Sequence, residues 1–219
     1  MAISKLNYNS LNVTPSANSA IGFDSGADDL ETGAAGGSMN FIKKLTASSS
    51  ATLSFVHGSS DVVLDNTYKE YLFIFKNIHP ATDGAHLTFN GSIDAGSNYN
   101  VTKTTTWFFG YHNEGGTAAA LSYSTGNDLA QSTAFQILAS DIGNGNDEDG
   151  CGTLQLFNPS STTFVKHFIS RCHSYNSNDY ANDMYIAGYF NNTNDVDAVQ
   201  FKMSSGNIDA GTITLYGIS

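Results

Sequence analysis

The 219-residue sequence predicts an all-β protein, an antiparallel β-sandwich or barrel, and three observations predict it. From residue 39 onward, short segments of alternating apolar and polar residues recur about every ten residues between turn residues, which is typical of this class. Hydrophobic residues make up 40% of the chain and aromatic residues 12%, enough for one buried core. No segment has a helical period, apart from one turn near 127–132.

Twelve strands are expected along the chain, each ended by residues that favour turns, such as Asp83-Gly84 and Gly115-Gly116. They are 39–46, 51–57, 68–78, 85–92, 101–112, 118–124, 133–139, 151–157, 163–174, 183–190, 197–204 and 211–218.

Two of these strands have patterns that indicate their position in the sheet. Residues 71–75 are apolar on both faces, which predicts a central strand covered on both sides. In 164–171 both faces mix apolar and polar residues, which favours an edge strand or an interface. The related segments 91–96 (GSIDAG) and 206–211 (GNIDAG) predict the same tight turn, in which Asp caps its own backbone and Gly supplies a positive φ.

Residues 1–38 differ from the rest because they carry scattered apolar residues and a second half rich in Gly, Ala, Ser and Asp. This composition is typical of a tail without its own core. We expect an extended N-terminal arm over 1–38 that lies on another subunit, and a single β-sandwich domain over 39–219. The expected anchors of the arm are Ile3, Leu6, Tyr8, Leu11, Val13, Ile21 and Phe23.

The charge of the chain indicates which partners are expected. Nine Lys and Arg residues face 20 Asp and Glu residues, which gives a formal net charge of −11. Phosphate backbones would be repelled, so we expect no nucleic-acid partner. No apolar run approaches the roughly 18 residues of a membrane helix, and no secretory leader is recognisable. The two cysteines, Cys151 and Cys172, are expected to be free thiols, with a disulfide as the less favoured alternative.

Candidate binding residues lie in two segments. Residues 141–149 form an acidic, Gly-rich loop whose hard oxygen ligands would suit Ca²⁺, although the spacing does not match an EF-hand. We expect an exposed ligand loop that holds either a cation or only solvent, and no other cofactor. Its candidate residues are Asp141, Asn144, Asn146, Asp147, Glu148 and Asp149.

An aromatic run forms the second segment. Trp107, Phe108, Phe109, Tyr111 and His112, with Tyr99, could stack on sugar rings. Alternate members of a strand point to opposite faces, so core packing plus a subunit interface is the favoured interpretation.

No catalytic template is present in the sequence. The patterns GxSxG, GxGxxG, GxxxxGK and HExxH are all missing, so we expect a protein that is not an enzyme. His167, Cys172 and His173 contain soft ligand atoms. On a strand, however, Cys172 faces away from the two histidines, so no metal site is expected there.

Several segments resemble virion-associated structural proteins of marine tailed bacteriophages, of the cyanophage and pelagiphage type. They are 41–50 (FIKKLTASSS), 61–65 (DVVLD), 111–114 (YHNE), 156–168 (LFNPSSTTFVKHF), 198–202 (AVQFK) and 205–217 (SGNIDAGTITLYG). The resemblance covers about 39–219, and the arm is the part that varies in that group. It implies a β-sandwich of jelly-roll type, a non-enzymatic particle component and an oligomer.

The function expected from these observations is that of a capsid decoration (cement) protein on the outer surface of a phage particle. We expect a homotrimer that attaches through its arm to the major capsid protein or another virion protein. The alternative is a tail-fibre or receptor-binding module that recognises a host surface glycan. A glycan depolymerase is the third hypothesis, for which Glu114 and Glu148 are the residues to substitute.

Overall fold

The computed structural model describes residues 38–219 and, before them, the backbone of two short strands, β1 (Ile21–Phe23) and β2 (Leu30–Thr32). The chain divides into two units, residues 1–40 with Ser219 and residues 41–218. In the first unit, β1 and β2 pair antiparallel, and the Ser219 amide donates to the Ser38 carbonyl at 3.0 Å.

The anchoring role predicted for the arm falls mainly outside the described residues. Ile21 and Phe23 belong to the backbone of β1, whose side chains are not described. Ile3, Leu6, Tyr8, Leu11 and Val13 lie outside the described residues altogether. The anchor therefore stays a prediction.

All twelve strands expected from residue 39 onward are present, each within three residues of its predicted ends. They are β3 (Met39–Thr46), β4 (Leu53–Val56), β5 (Glu70–Pro80), β6 (Ala85–Ser92), β7 (Lys103–Asn113), β8 (Ala119–Tyr123), β9 (Gln136–Ile142), β10 (Gly150–Phe157), β11 (Lys166–Asn176), β12 (Tyr180–Phe190), β13 (Ala198–Met203) and β14 (Ile208–Ile218). The prediction of a helical turn near 127–132 is wrong, since this segment is a loop whose Leu129 and Ser132 carbonyls accept hydrogen bonds from β7.

Eight of these strands form a jelly roll, as predicted. The twelve strands form one continuous sheet that folds into two layers, joined where β11 pairs with β9. One layer, called here the first sheet, has the order β3-β14-β5-β10, and the other, the second sheet, has the order β4-β13-β6-β9. Four antiparallel pairs follow one another along a single long hairpin: β6–β9, β5–β10, β4–β13 and β3–β14. This hairpin folds over into two layers, which is the jelly-roll connection.

Two inserted hairpins extend the first sheet beyond the jelly roll. The hairpin β7–β8 lies between β6 and β9 in sequence, and the hairpin β11–β12 lies between β10 and β13. They continue the first sheet from β10 in the order β11-β12-β7-β8. The second sheet has no matching extension, so the two sheets differ in width.

Phenylalanine rings fill the space between the two layers. Phe73 from the first sheet meets Phe201 from the second with ring centroids 5.3 Å apart, and Phe89 meets Phe168 at 5.0 Å. All four side chains have no exposed surface. Edge-on ring pairs of this kind add about 0.5–1.5 kcal/mol each to the burial of apolar area.

Two predictions about individual strands differ in outcome. β5, which contains 71–75, is central between β14 and β10, as expected. The edge position predicted for 164–171 is wrong, because β11 lies between β10 and β12. The mixed pattern has another cause: Lys166 points inward, where its ammonium donates to the Asn192 carbonyl at 3.0 Å, while Ile169 points outward.

The two related segments adopt different structures. In 91–96, Asp94 accepts a hydrogen bond from the Asn98 amide at 2.8 Å, and Gly96 has a φ of 78°, as the turn prediction requires. Asp209, in contrast, lies inside β14, where the pairing with β5 is irregular between Ile208 and Thr212. The prediction of a second identical turn is wrong, because strand pairing decides the conformation there.

Both cysteines are free thiols. Cys151 is exposed and Cys172 is buried, and burial raises the pKa of the Cys172 thiol to about 12. None of the described residues belongs to a helix long and apolar enough to cross a membrane.

Candidate ligand-binding groove

The candidate site is formed where the two inserted hairpins meet. β7 and β12 pair along their whole length, from Tyr180 opposite Asn113 to Phe190 opposite Lys103. The second sheet stops at β9, which meets β11 at the single pair Asn176–Ile142. The inner faces of β7 and β12 therefore continue past the edge of the opposite sheet.

The loop before β9 and the start of β9 close one end of this inner face. The Lys103 ammonium donates to the Ala134 carbonyl at 2.6 Å, and the Trp107 indole N–H donates to the Ile137 carbonyl at 3.1 Å. The Trp107 side chain is only 1% exposed and forms the buried floor at the closed end. Beyond it, Ser140 and Asp141 near the end of β9 border the inner face, which then opens to solvent.

The uncovered part is a groove with a volume of about 430 Å³. This volume falls in the range of about 300–1,000 Å³ that is usual for small-molecule sites. The groove is lined by Trp107, Phe109, Tyr111, Ser124, Asn127, Ser140, Asp141, Asn176, Asn178, Tyr180 and Asn182.

Aromatic rings form a continuous row along one wall of the groove. The centroids of Trp107 and Phe109 are 5.1 Å apart, and those of Phe109 and Tyr111 are 5.7 Å apart with nearly parallel planes. Tyr180, from the neighbouring strand, meets Tyr111 edge-on at 5.6 Å. Residues two apart on a strand point to the same face, which is why alternate residues of β7 form this row.

Amides and one carboxylate complete the lining of the groove, and Asn182 on β12 is the cross-strand neighbour of Tyr111. Asn182 is only 5% exposed, yet its side chain forms a hydrogen bond to no described residue. The side chains of Asn127 and Asp141 also have no hydrogen-bond partner in the described part of the chain. These polar atoms are not sealed from solvent, because the buried side-chain oxygens without a partner in the described part of the chain belong to Asp195 and Asp197. The groove side chains are therefore available to water or to a ligand.

This arrangement favours a neutral, hydroxyl-rich ligand. Aromatic rings provide flat apolar surfaces for the C–H face of a sugar ring, and amides both donate and accept hydrogen bonds to hydroxyls. The groove lining contains no Lys, Arg or His, and its one formal charge is the carboxylate of Asp141. An anionic ligand would therefore meet an unscreened negative charge and no cation.

The structure divides the aromatic run between two faces, as strand geometry requires. Trp107 and Phe109 face the groove together with Tyr111, whereas Phe108 and His112 face outward and are exposed. Tyr99 belongs to neither face of β7, because it lies in the 93–102 loop. Its carbonyl accepts a hydrogen bond from the side-chain amide of Asn90.

The acidic loop is likewise divided. Asp141, the last residue but one of β9, has a φ of 54° and lines the groove. The other five residues, Asn144, Asn146, Asp147, Glu148 and Asp149, follow in the β9–β10 loop. Many of their polar atoms bond within the chain: Glu148 accepts from the Gly145 amide, and Asp149 accepts from the Asn77 side chain at 2.7 Å.

This loop borders a separate cleft of about 470 Å³ beside His79. In the described part of the chain, no three His, Cys, Asp or Glu residues are placed so that they could hold a metal ion. His167 and His173 are exposed on the outer face of β11, and Cys172 is buried on the inner face. The Ca²⁺ loop stays a prediction.

Sequence reasoning did not identify Tyr180, Asn182 or Asn127 as site residues. A weak signal exists in 176–182 (NSNDYAN), where asparagines are concentrated at a hairpin turn. The alternation of Tyr180 and Asn182 places both on one face, but their distance from Trp107 depends on pairing between strands far apart in sequence.

No family model, no curated protein and no solved structure matches this chain.

Proposed function

We propose that the chain is a non-enzymatic module of a phage particle that binds a neutral carbohydrate of the host surface in the groove between its inserted hairpins. The observation that carries the carbohydrate part is the row of Phe109, Tyr111 and Tyr180 above the buried Trp107, with the amide of Asn182 beside Tyr111. The particle part rests on the resemblance of 39–219 to virion proteins.

The origin of the groove supports a role in binding. Neither hairpin is needed to complete the jelly roll, since the eight-strand ribbon closes without them. Together they create the one-sided extension that leaves aromatic rings and an amide facing solvent. A sheet that only packed a core would cover such rings.

The lining favours binding over hydrolysis. Glycoside hydrolysis usually requires two carboxyl groups about 5–10 Å apart across the scissile bond. Among the groove residues, Asp141 is the one carboxylate, and amides occupy the other polar positions. The groove can therefore orient a sugar by hydrogen bonds, and it lacks an acid–base pair in its lining.

A glycan array with the full chain tests the proposal. We expect signals for neutral hexose or N-acetylhexosamine oligosaccharides, and a dissociation constant raised about tenfold or more, about 1.4 kcal/mol, by Tyr111→Ala. Tyr216→Ala is the matched control, because Tyr216 is also a half-buried tyrosine but lies on β14 in the jelly roll. Equal affinity of the two variants, or no binding to any glycan, would refute the groove assignment.

The second candidate function is capsid decoration through the arm, with the major capsid protein as partner. The exposed apolar residues on the outer face of the inserted hairpins favour an assembly role. Deletion of 1–38 should abolish attachment of the chain to particles while the sandwich still folds. Copy number separates the candidates, because decoration requires hundreds of copies per particle and a tail module requires a few dozen or fewer.

A further inference from the structure

The side of the inserted hairpins opposite the groove carries a second cluster of exposed apolar residues. We define the outer aromatic face by Ile169 on β11, Tyr185 on β12, Phe108 on β7, and Leu121 and Tyr123 on β8. Leu121 is 75% exposed, Tyr123 52%, Ile169 50% and Phe108 40%. Such values are unusual for four large side chains grouped on one sheet face.

Strand register brings these side chains together. Arg171, Tyr185, Phe108 and Tyr123 are successive partners across β11, β12, β7 and β8. The rings of Phe108 and Tyr185 are parallel within 3°, with centroids 4.9 Å apart. The guanidinium carbon of Arg171 lies 5.1 Å from the Tyr185 centroid. The row is therefore pre-ordered and loses little side-chain entropy on docking.

The outer aromatic face is electrically neutral in a strongly acidic chain. Its outward positions include two charged residues, Arg171 and Asp183, which form an ion pair at 2.7 Å. Because the whole chain carries a net charge of −11, two copies repel each other over most of their surfaces. Contact through this face places no like charges against each other.

The free edge of β8 adds a backbone contribution. In the described part of the chain β8 pairs with β7 alone, so its other edge has unpaired N–H and C=O groups. Its sequence, AALSY, lacks the charges and prolines that usually protect an edge strand from other chains.

The area of the face lies at the lower end of the range for standard interfaces. β7, β11 and β12 have 11 residues each and β8 has five, and at about 3.3 Å per residue and about 4.8 Å between strands they cover roughly 600 Å². Standard interfaces bury about 800 Å² per partner.

We propose that the outer aromatic face binds a second copy of this chain, so that the protein self-associates through its inserted hairpins. Because the groove lies on the opposite side of the same strands, self-association leaves it open and presents several grooves at once. Multivalent presentation of this kind strengthens binding to repetitive surfaces.

Sedimentation velocity of the full chain over a range of concentrations tests the proposal. We expect an oligomer that Leu121→Lys and Ile169→Lys dissociate, each raising the dissociation constant at least tenfold. Both side chains are at least half exposed, so the substitutions leave the core intact. Phe164→Lys is the matched control, because Phe164 is 70% exposed in the loop before β11 and should leave the oligomer unchanged.

Three results would overturn the proposal. The first is a wild-type chain that remains monomeric at the highest concentration. The second is an oligomer that survives both lysine substitutions. An oligomer that dissociates only when residues 1–38 are deleted belongs to this case. The third is equal dissociation by Phe164→Lys. If the wild-type chain is monomeric and the outer-face variants lose their glycan-array signal, the outer aromatic face would instead be assigned to sugar binding.

Discussion

Substitution of Lys103 by Met should stabilise the protein strongly at neutral pH. The Lys103 side chain has no exposed surface, and its ammonium donates to the Ala134 carbonyl at 2.6 Å. The Lys103 ammonium also lies 5.8 Å from the centroid of the Phe190 ring. Burial lowers the pKa of Lys103 from 10.5 to about 7, because the charged form loses its hydration.

The size of the effect follows from proton linkage. Between pH 10.5 and about 7, the unfolded chain holds a proton on Lys103 that the folded chain releases, so the free energy of unfolding falls as the pH falls. The window spans about 3.5 pH units at about 1.4 kcal/mol each, which gives a penalty of roughly 4–5 kcal/mol below pH 7. The penalty is absent above pH 10.5.

Methionine has a similar shape and no charge, so it removes the penalty. It also leaves the Ala134 carbonyl without its donor, which costs about 1–2 kcal/mol. We therefore expect Lys103→Met to be about 3 kcal/mol more stable than the wild type at pH 7. This advantage should shrink with rising pH and reverse between about pH 9 and pH 10, where the remaining penalty equals the cost of the lost hydrogen bond.

Urea unfolding of both proteins at several values between pH 6.5 and pH 10.5 measures this difference. Lys69→Met is the control, because Lys69 is exposed and its loss reports only the removal of one positive charge from an acidic chain. A stability difference that does not vary with pH, or a Lys103→Met variant that is less stable at pH 7, would show that Lys103 is not buried as described.

Two further predictions concern the core and the hairpin contact. Phe201→Ala should cost about 3–5 kcal/mol in thermal or urea unfolding, because Phe201 is fully buried against four other phenylalanine rings; a loss below 1 kcal/mol would argue against this core. Gly188→Ala should cost about 1–3 kcal/mol, since a Cβ there would lie 2.6 Å from the Thr104 carbonyl oxygen. Gly126→Ala, with open space around it, should change stability by less than about 0.5 kcal/mol, and equal effects at both glycines would contradict the close approach of β7 and β12.

Much of the fold could be predicted from the sequence, because strand alternation and turn residues are local signals. β5 shows this well, since its apolar run over 71–75 correctly indicated a central strand. The position of β11 could not be predicted, because a buried Lys166 and an exposed Ile169 reverse the usual relation between residue type and burial. Asp209 shows a related limit, where long-range pairing overrides a local turn signature.

The candidate site was predictable only in part, for a physical reason. Strand alternation was enough to separate Trp107, Phe109 and Tyr111 from Phe108. The groove itself depends on the pairing of β7 with β12, whose partner residues are 67 to 87 positions apart in sequence, and on a second sheet that ends at β9. Asn182 shows no local sign of a binding role, since its place beside Tyr111 depends on the pairing of β12 with β7.

The most direct measurement is an NMR titration of the isotope-labelled chain with the neutral oligosaccharide that gives the highest array signal. We predict that the largest shift changes and contacts to sugar protons appear at the rings of Phe109, Tyr111 and Tyr180 and at the side-chain amide of Asn182. Changes confined to the 143–149 loop or to the outer aromatic face, with these groove signals unmoved, would contradict the account.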